Sequence, residues 1–332
     1  MQIKEELDRQ EEKWLVVVNP NAGSGKGRKD WPIIRQLLED KGFIFKDVMT
    51  RARFDAIDIA KEQIEKGFRK IIVVGGDGTL NEVVNGIFMQ NAVPTNGITI
   101  GMITVGTGND WGRMYHIPVK YKKAIKAIRK GKTFVQDAGK VKYDLNDKTE
   151  ERYFVNIAGM GFDALVAQKT NALKEKGRGG VMAYLYNLIT GLFQYKITRL
   201  RIAVEDKEVF EDDVFSMSLG ICKYNGGGMM QLPTAVPDDG IFDITVIRKT
   251  TKLRIIRNIK NLYDGSFIKL PEVETFQGRS VRVVSIPSNS VFLETDGESL
   301  GHSPLEFNVI PGSIKIIVHK SYPAKNAEGQ AS

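Results

Sequence analysis

The strongest pattern in the chain is a run of apolar residues that changes abruptly into a helical period. Ile71 to Val74 are four consecutive β-branched residues, as expected for a strand that is covered on both faces. Three glycines within 75–78 surround Asp77 and allow a sharp turn. Apolar residues then recur at helical spacing from Leu80 to Phe88. The pattern predicts a strand, a glycine turn and a helix N-terminus, which together make an anion site.

Two further glycine-rich segments each follow a predicted strand. Residues 19–27 follow the apolar run Trp14–Val18, and residues 104–109 follow the strand predicted at Ile98–Ile103. Helical patterns separate the strands, which indicates an open parallel sheet. Ligands of such sheets bind where the loops at the carboxyl ends of the strands converge. We therefore expect these two loops and the loop at 75–79 to line one edge of the sheet.

From about residue 134 the pattern changes to short strands joined by turn residues, with helical spacing only at 164–176, 181–195 and 251–263. This pattern of short strands and turns predicts a second, mainly antiparallel and sandwich-like domain. We place the α/β domain at residues 1–133 and the β-rich domain at 134–311. The last two strand-like stretches, residues 306–310 and 313–319, can close the second sheet or return to the first domain, which would then include about 312–332. The sequence leaves both open.

Composition adds a charge imbalance. The chain has 48 Lys and Arg against 40 Asp and Glu, a net charge of +8, which favours an anionic partner. This excess alone does not choose between nucleic acid, anionic lipid and a phosphorylated ligand. The single cysteine, Cys222, excludes an internal disulfide framework and fits a reducing cytoplasm.

The longest apolar stretch, Val181 to Ile197, has the spacing of an amphipathic helix. It is interrupted by polar residues and falls short of the ~20 apolar residues that span a bilayer. Lys174, Lys176 and Arg178 precede it. Such a helix can lie on a membrane surface or dock on the sheet of its own domain, and both interpretations stay open.

The loop around Asp77 points to a nucleotide. A carboxylate inside an anion loop repels bare phosphate, so Asp77 indicates a phosphate that arrives with a divalent cation. The alternative is a plain strand–helix unit in which the glycines only form a turn. Lys26 and Arg28 can reach phosphate oxygens or remain solvated loop charges. The spacing matches neither the dinucleotide fingerprint nor a P-loop.

Two acidic motifs of the second half also carry chemistry. Residues 224–243 form a long glycine- and proline-rich loop in which Asp239 can bind Mg²⁺ together with backbone carbonyls; the alternative is an Asp-Gly turn. Residues 293–301 contain Glu298, a candidate proton acceptor for phosphoryl transfer to an alcohol. The alternative for Glu298 is an ordinary acid of a hairpin turn.

Five motifs in order resemble the diacylglycerol kinase catalytic-domain family, the bacterial soluble lipid kinases that are related to sphingosine kinases. They are NPNAGSGKG, GGDGTLNEVVNG, GTGNDWGR, GGGMMQLPTAVPDDGIFD and TDGE. The resemblance covers nearly the whole chain. It implies an N-terminal domain like that of NAD kinase and phosphofructokinase, a β-rich C-terminal domain for the lipid substrate, and an active site between the two.

The resemblance also implies roles for individual residues. It implies Glu298 as the proton acceptor, Asp77 near Mg-ATP and Asp110 in support of the site. It implies a structural Mg²⁺ held by Asp239 and by the main-chain oxygens of Val236 and Ile241. The implied ATP contacts are Asn19, Pro20, Asn21, Ala22, Gly23, Thr50, Gly76, Asp77, Gly78, Thr79, Leu80, Asn81, Glu82 and Thr107.

The predicted function is an ATP-dependent kinase for the hydroxyl of a membrane lipid, foremost diacylglycerol. Another acceptor (a sphingoid base, ceramide or NAD) and a nucleotide-binding regulator without chemistry are the alternatives. We expect a cytoplasmic protein in peripheral contact with the anionic inner membrane surface and no nucleic-acid partner, and a homodimer is left open. Lys26, Arg28, Lys29 and the helix from Val181 are the expected membrane contacts.

Overall fold

The computed structural model describes residues 12–106, 108–175 and 190–323. The helices are α1 (Ala22–Asp40), α2 (Asp55–Glu65), α3 (Asp77–Met89), α4 (Asp110–Met114), α5 (Tyr121–Lys130), α6 (Phe162–Glu175), α7 (Lys252–Asn258) and α8 (Asn261–Asp264). Short 3₁₀ turns occupy Thr95–Gly97 and Ser266–Lys269. The strands are β1 (Trp14–Val18), β2 (Phe45–Met49), β3 (Lys70–Gly75), β4 (Thr99–Thr104), β5 (Thr133–Leu145), β6 (Lys148–Phe154), β7 (Ile157–Gly161), β8 (Thr198–Val204), β9 (Lys207–Gly220), β10 (Tyr224–Asn225), β11 (Met229–Met230), β12 (Phe242–Arg248), β13 (Val273–Gly278), β14 (Ser280–Ile286), β15 (Phe292–Thr295) and β16 (Glu298–Ile317).

The first half is a parallel sheet in the order β2, β1, β3, β4. Strands β1, β3 and β4 are buried at nearly every position because helices cover both faces, whereas the edge strand β2 is partly exposed. On one face, α1 and α5 contribute Trp31 and Ile125 to a core that contains Val16. On the other, α2 and α3 contribute Ala60 and Val84 to the second core. The carboxyl ends of β1, β3 and β4 meet at one edge, and the glycine turns continue from there.

The second half is mainly antiparallel. Strands β13, β12, β9, β7 and β15 follow one another across the sheet, and β8 and β14 pair beside them. The predicted fold class, an open α/β sheet followed by an antiparallel β-rich part, is therefore confirmed.

A single long strand joins the two halves. Strand β16 pairs antiparallel with β5, β14 and β15 and then, through Lys315 and Ile316, parallel with β4. The sequence pattern had predicted two separate strands at 306–310 and 313–319, and they are one. The division at residue 133/134 stays a prediction, and the pairing with β4 supports counting the end of β16 with the first domain.

Three further elements differ from the expectation. The residues Asp30-Trp31-Pro32 predict a helix start, but helix α1 begins earlier, at Ala22. Its residues 23–25 are left-handed, so the regular right-handed helix follows Gly25. Strand β5 continues past Val141 into a hairpin whose turn, Asn146-Asp147, has positive φ at both positions. The edge strand β13 was not predicted. Most of the helix expected at 181–195 lies outside the described residues, of which 190–194 are helical.

Candidate active site

Three glycine turns at the carboxyl ends of β1, β3 and β4 build the first wall of the site. The Asn19 side-chain amide donates a hydrogen bond of 2.9 Å to the Thr79 hydroxyl, which ties the first loop to the start of α3. A Cβ at Gly23 would lie 2.4 Å from the carbonyl oxygen of Val105. The first and third loops thus approach backbone to backbone, which only glycine permits at this position.

The N-terminus of α3 opens into the space between these loops. Its N-cap, Gly76, is extended and, as a glycine, has no side chain that could cap the helix. The first N–H groups of a helix have no partner within it, and the helix dipole favours an anion there. Residues 23–25 have φ values of 60°, 58° and 89°, which turn the first loop around the same space. The wall therefore offers backbone N–H groups to an anion.

Asp77 and Asp110 form a desolvated carboxylate pair within this wall. The Asp77 carboxylate accepts the backbone N–H of Asp110 at 3.1 Å and that of Trp111 at 3.3 Å. Asp110 accepts the N–H groups of Gly227 at 2.8 Å and Gly228 at 2.6 Å from the second half. Burial, and then the Asp110 charge, raises the pKa of Asp77 to about 7, and burial also raises the pKa of Asp110. A cation would relieve both penalties.

The turn between β15 and β16 forms the second wall, and Asp296 anchors it. Asp296 is 5% exposed and accepts hydrogen bonds from the Asn81 amide at 2.9 Å and from the Val155 and Asn156 N–H groups at 3.0 Å each. Burial raises the pKa of Asp296 to about 6. Its oxygens bind α3 to the second half of the chain, so Asp296 holds the walls together.

A second buried acid, Glu294, accepts a hydrogen bond from the same turn. Glu294 is 1% exposed and accepts hydrogen bonds from the Asn225 amide at 3.0 Å and the Gly297 N–H at 2.8 Å. Burial raises the pKa of Glu294 to about 8. Glu294 thus fixes both the 224–230 loop and the turn that carries Glu298.

Glu298 reaches from the second wall to the first. Its Oε2 accepts two hydrogen bonds from the Arg53 guanidinium, at 2.7 and 3.1 Å. Its Oε1 accepts none from any residue that the structure describes. That oxygen would lie 2.6 Å from a Cβ placed on Gly78. One oxygen of Glu298 is therefore held, and the other is available to a ligand.

Both walls line one cleft of about 840 Å³. Of the predicted catalytic and ATP-contacting residues, those that line it are Asn19, Asn21, Ala22, Gly23, Thr50, Gly76, Asp77, Gly78, Thr79, Glu82, Asp110 and Glu298. Pro20, Leu80 and Asn81 do not line it: Leu80 packs in the core, and Asn81 binds Asp296. Thr107 lies outside the described residues.

Comparison with known proteins matches two parts of the chain to family models. Residues 13–141 match the diacylglycerol kinase catalytic domain, and residues 156–318 match the YegS C-terminal NAD kinase beta sandwich-like domain. A diacylglycerol kinase of Staphylococcus carnosus is 30% identical over 94% of this chain and 96% of its own length.

The chain belongs to the diacylglycerol kinase family. Among solved structures, a candidate diacylglycerol kinase of Bacillus anthracis superposes on this family member with a TM-score of 0.74 at 25% identity, covering 94% of this chain and 99% of the other. An NAD kinase of Archaeoglobus fulgidus, solved in complex with ATP, shares the fold with a TM-score of 0.51 at 11% identity, covering 92% of this chain and 94% of the other. Family membership identifies the chain as a kinase.

The predicted structural Mg²⁺ residues of this kinase lie away from the cleft. Val236, Asp239 and Ile241 are not among its lining residues, and the Asp239 carboxylate accepts the Ile241 N–H at 3.2 Å. Across the described ranges, no three His, Cys, Asp or Glu side chains are grouped to hold a metal ion. Those ranges thus contain no side-chain cage, and the Asp77–Asp110 pair is a pair of carboxylates that the first wall of the cleft presents to a cation.

Three residues that line the kinase cleft, Arg53, Asp163 and Glu294, were not predicted as site residues. Arg53 contacts Glu298 across 245 positions of sequence, so no local pattern announces it. Asp163 and Glu294 lie on apolar elements and resemble core positions of a helix and a strand. An acid within an apolar run is unusual, and this feature could have marked Asp163 and Glu294 as candidate site residues.

An apolar cavity adjoins the cleft of the kinase. It shares Asp163, Met229 and Ile259 with the cleft lining. Burial raises the pKa of Asp163 to about 6, and its carboxylate accepts hydrogen bonds from Ser218 and Gln231 at 3.1 Å each. The apolar lining includes Phe162, Phe215, Ile247, Ile255, Leu262 and Phe267.

In the described ranges, every helix is too short or too polar to serve as a membrane span.

Proposed function

We propose that this kinase uses ATP to phosphorylate the free hydroxyl of a membrane lipid, foremost diacylglycerol, with phosphatidic acid as the product. The observation that carries the proposal is that Asp77 and Glu298, from opposite halves of the chain, line one cleft beside an apolar cavity. Phosphoryl transfer to an alcohol needs an anion site, charge neutralisation and a proton acceptor within reach of one another.

The first wall would hold the nucleotide. The N–H groups at the start of α3 and those of Gly23 and Ser24 suit the phosphates, and Asn19 is fixed by Thr79. ATP supplies the γ-phosphoryl group when bound, and Mg²⁺ neutralises the phosphate charge. Mg²⁺ is usually held by one or two carboxylates together with substrate phosphates. The Asp77–Asp110 pair fits that requirement, since both carboxylates are destabilised without a cation.

Glu298 would accept the proton of the acceptor hydroxyl. Its Oε2 is held by Arg53, while Oε1 has no donor among the described residues. As the hydroxyl oxygen forms its bond to the γ-phosphorus, the bond from that phosphorus to the β–γ bridging oxygen would break, ADP would leave, and the hydroxyl proton would pass to Oε1 of Glu298. Asp296 and Glu294 are unsuited to that role, because their oxygens are buried and already accept hydrogen bonds.

The apolar cavity supports a lipid as the acceptor. A hydrocarbon chain that leaves the cleft past Met229 and Ile259 would enter a space bounded by Phe215, Ile255 and Phe267. The cavity has a volume of about 80 Å³, so it takes part of an acyl chain, and each CH₂ group removed from water there contributes about 0.8 kcal/mol. A soluble acceptor such as NAD has no group that uses this cavity. We accordingly place the kinase at the cytoplasmic face of the membrane, where diacylglycerol is accessible.

The test is a transfer assay with γ-labelled ATP and Mg²⁺ on a panel of acceptors. The panel contains diacylglycerol, ceramide, sphingosine and phosphatidylglycerol in mixed micelles, with NAD in solution alongside. We expect label in the lipid fraction, with diacylglycerol the best acceptor. Label in NAD alone would contradict the lipid assignment, and label in another lipid would correct the acceptor.

A further inference from the structure

One segment of the chain carries its entire net charge. The chain has 48 Lys and Arg and 40 Asp and Glu. Residues 111–136 contain eight of the basic residues and none of the acidic ones, which leaves 40 of each in the rest of the chain. The positive excess of this segment therefore equals the net charge of the whole chain.

Helix α5 presents this charge on one side. Its apolar side, Ala124, Ile125, Ala127 and Ile128, is buried in the first domain. The exposed side, with the residue before the helix, forms a surface that we call the basic face. The basic face consists of Lys120, Lys122, Lys123, Lys126, Arg129 and Lys130, all exposed.

The basic face is a cluster of cations without counter-charges. None of its six residues forms an ion pair with any residue between 12 and 323 that the structure describes. Several other exposed cations instead stand against carboxylates, as Arg248 does with Asp212 and Glu274 and Arg254 with Glu272. Self-repulsion within the basic face makes an external anionic partner favourable.

The basic face begins beside the cleft. The Tyr121 hydroxyl donates a hydrogen bond of 2.6 Å to Asp30, and the Lys26 ammonium lies 5.7 Å from the centre of the Tyr121 ring. Lys26 directly follows the loop of residues 21–25 that lines the cleft. Val119, 67% exposed, precedes the helix and offers an apolar side chain at the same end.

We propose that the basic face is a docking surface for an anionic lipid bilayer and holds the cleft at the membrane. This inference rests on the proposed lipid acceptor for its role. Five of the six residues are lysines, whose ammonium groups suit attraction to a diffuse negative surface. Recognition of a discrete phosphate or of nucleic acid favours the bidentate arginine fork. The exposed Val119 adds an apolar contact that a bilayer interface accommodates.

The test measures binding of the full chain to sedimented vesicles, without ATP, so that it does not depend on turnover. Vesicles of phosphatidylcholine, with and without phosphatidylglycerol, are compared at low and high salt. We expect binding only to anionic vesicles, and a loss of that binding at high salt. The variant Lys122→Glu/Lys123→Glu/Lys126→Glu should bind roughly 100-fold more weakly, at about fivefold for each lysine removed.

The matched control is Lys148→Glu/Lys207→Glu/Arg282→Glu, which changes the net charge equally on exposed residues elsewhere. It should retain most of the binding. Val119→Ser should weaken binding severalfold at low salt and leave the salt dependence of binding unchanged, because its contribution is not electrostatic. Turnover on a short-chain, monomeric diacylglycerol should be unchanged in the triple variant, since the basic face lies outside the cleft lining.

The outcomes separate this inference from the proposed function. Equal losses in the two triple variants, or undiminished binding in the first, would overturn the basic face as the docking surface. Binding to an oligonucleotide in preference to anionic vesicles would overturn it in favour of nucleic acid. Vesicle binding that depends on the basic face, in a chain that phosphorylates no lipid, would support the docking surface and overturn the proposed acceptor instead.

Discussion

The two walls of the cleft use different chemistry. The first wall consists largely of backbone and small side chains from the loops after β1, β3 and β4, and its acids are the Asp77–Asp110 pair. The second wall carries three acids on or next to one turn. Asp296 and Glu294 are buried and accept hydrogen bonds, while one oxygen of Glu298 has no donor among the described residues. An anion and its cation fit the first wall, and an alcohol that must lose a proton fits the second.

The largest expected effect separates two acids on the second wall. We expect Glu298→Gln to lower kcat by about 10²- to 10⁴-fold, because a positioned proton acceptor contributes that much. Stability should change little, since the Arg53–Glu298 pair is partly exposed and such pairs are weak. Steady-state kinetics and thermal unfolding on the same samples check the expected effects on kcat and on stability. Turnover within tenfold of the unaltered chain would remove Glu298 from the chemistry.

The first wall is tested by Asp77→Asn. Replacing this carboxylate should lower kcat by about 100-fold, the effect of losing one preorganised electrostatic group, and should raise the Mg²⁺ concentration needed for half-maximal rate. A Mg²⁺ titration of the rate measures both. Asp40→Asn, on an exposed residue of α1, is the control. An unchanged Mg²⁺ requirement would contradict the assignment of the cation to this wall.

Asp296 should behave in the opposite way to Glu298. The change Asp296→Asn replaces an acceptor oxygen of a residue that binds Asn81, Val155 and Asn156. We expect a loss of about 2–3 kcal/mol in the free energy of unfolding, because buried donors lose a charged partner. Urea unfolding measures it. A variant as stable as the unaltered chain would show that Asp296 does not join the walls.

The acyl-chain cavity predicts a change in substrate affinity alone. Ile255→Trp should fill the cavity and raise KM for long-chain diacylglycerol by about tenfold, the cost of a few CH₂ groups left in water. KM for ATP should stay constant. Ile256→Trp on the same helix, at a side chain that is 46% exposed, is the control. Equal effects of the two substitutions would place the lipid elsewhere.

The buried acids also predict how stability depends on pH. The folded state raises the pKa of Glu294 to about 8, so it binds a proton more tightly than the unfolded chain. Glu294 therefore contributes stability at low pH that is lost as pH rises from about 4 towards 8. We expect Glu294→Gln to lessen this decline by about 1 kcal/mol per pH unit. Urea unfolding from pH 5 to 8 checks it, with Glu306→Gln as control; an unchanged slope would contradict the burial argument.

The first half of the fold was predictable because its signals are local. Four β-branched residues from Ile71 followed by glycines define a buried strand and its turn without knowledge of the rest of the chain. The polar hairpin β5–β6 and the continuous β16 were missed, because pairing partners rather than local preference stabilise them.

The different roles of Asp296 and Glu298 could not be predicted from the sequence. Asp296 and Glu298 are two positions apart, so strand alternation would place both on one face. Asp296 instead has φ of 51°, which turns its carboxylate towards Val155 and Asn156. The partner of Glu298 is Arg53, 245 positions away, and only the folded chain brings the two together.

The most direct test of two walls acting on one phosphoryl group is a crystal structure of the Glu298→Gln variant with ATP, Mg²⁺ and dioctanoylglycerol. We predict that the phosphates lie against the loop of residues 19–25 and the start of α3, with the cation at Asp77 and Asp110. The free hydroxyl of the lipid should lie within hydrogen-bonding distance of residue 298. Phosphates bound away from these loops, or a lipid hydroxyl that points away from residue 298, would contradict it.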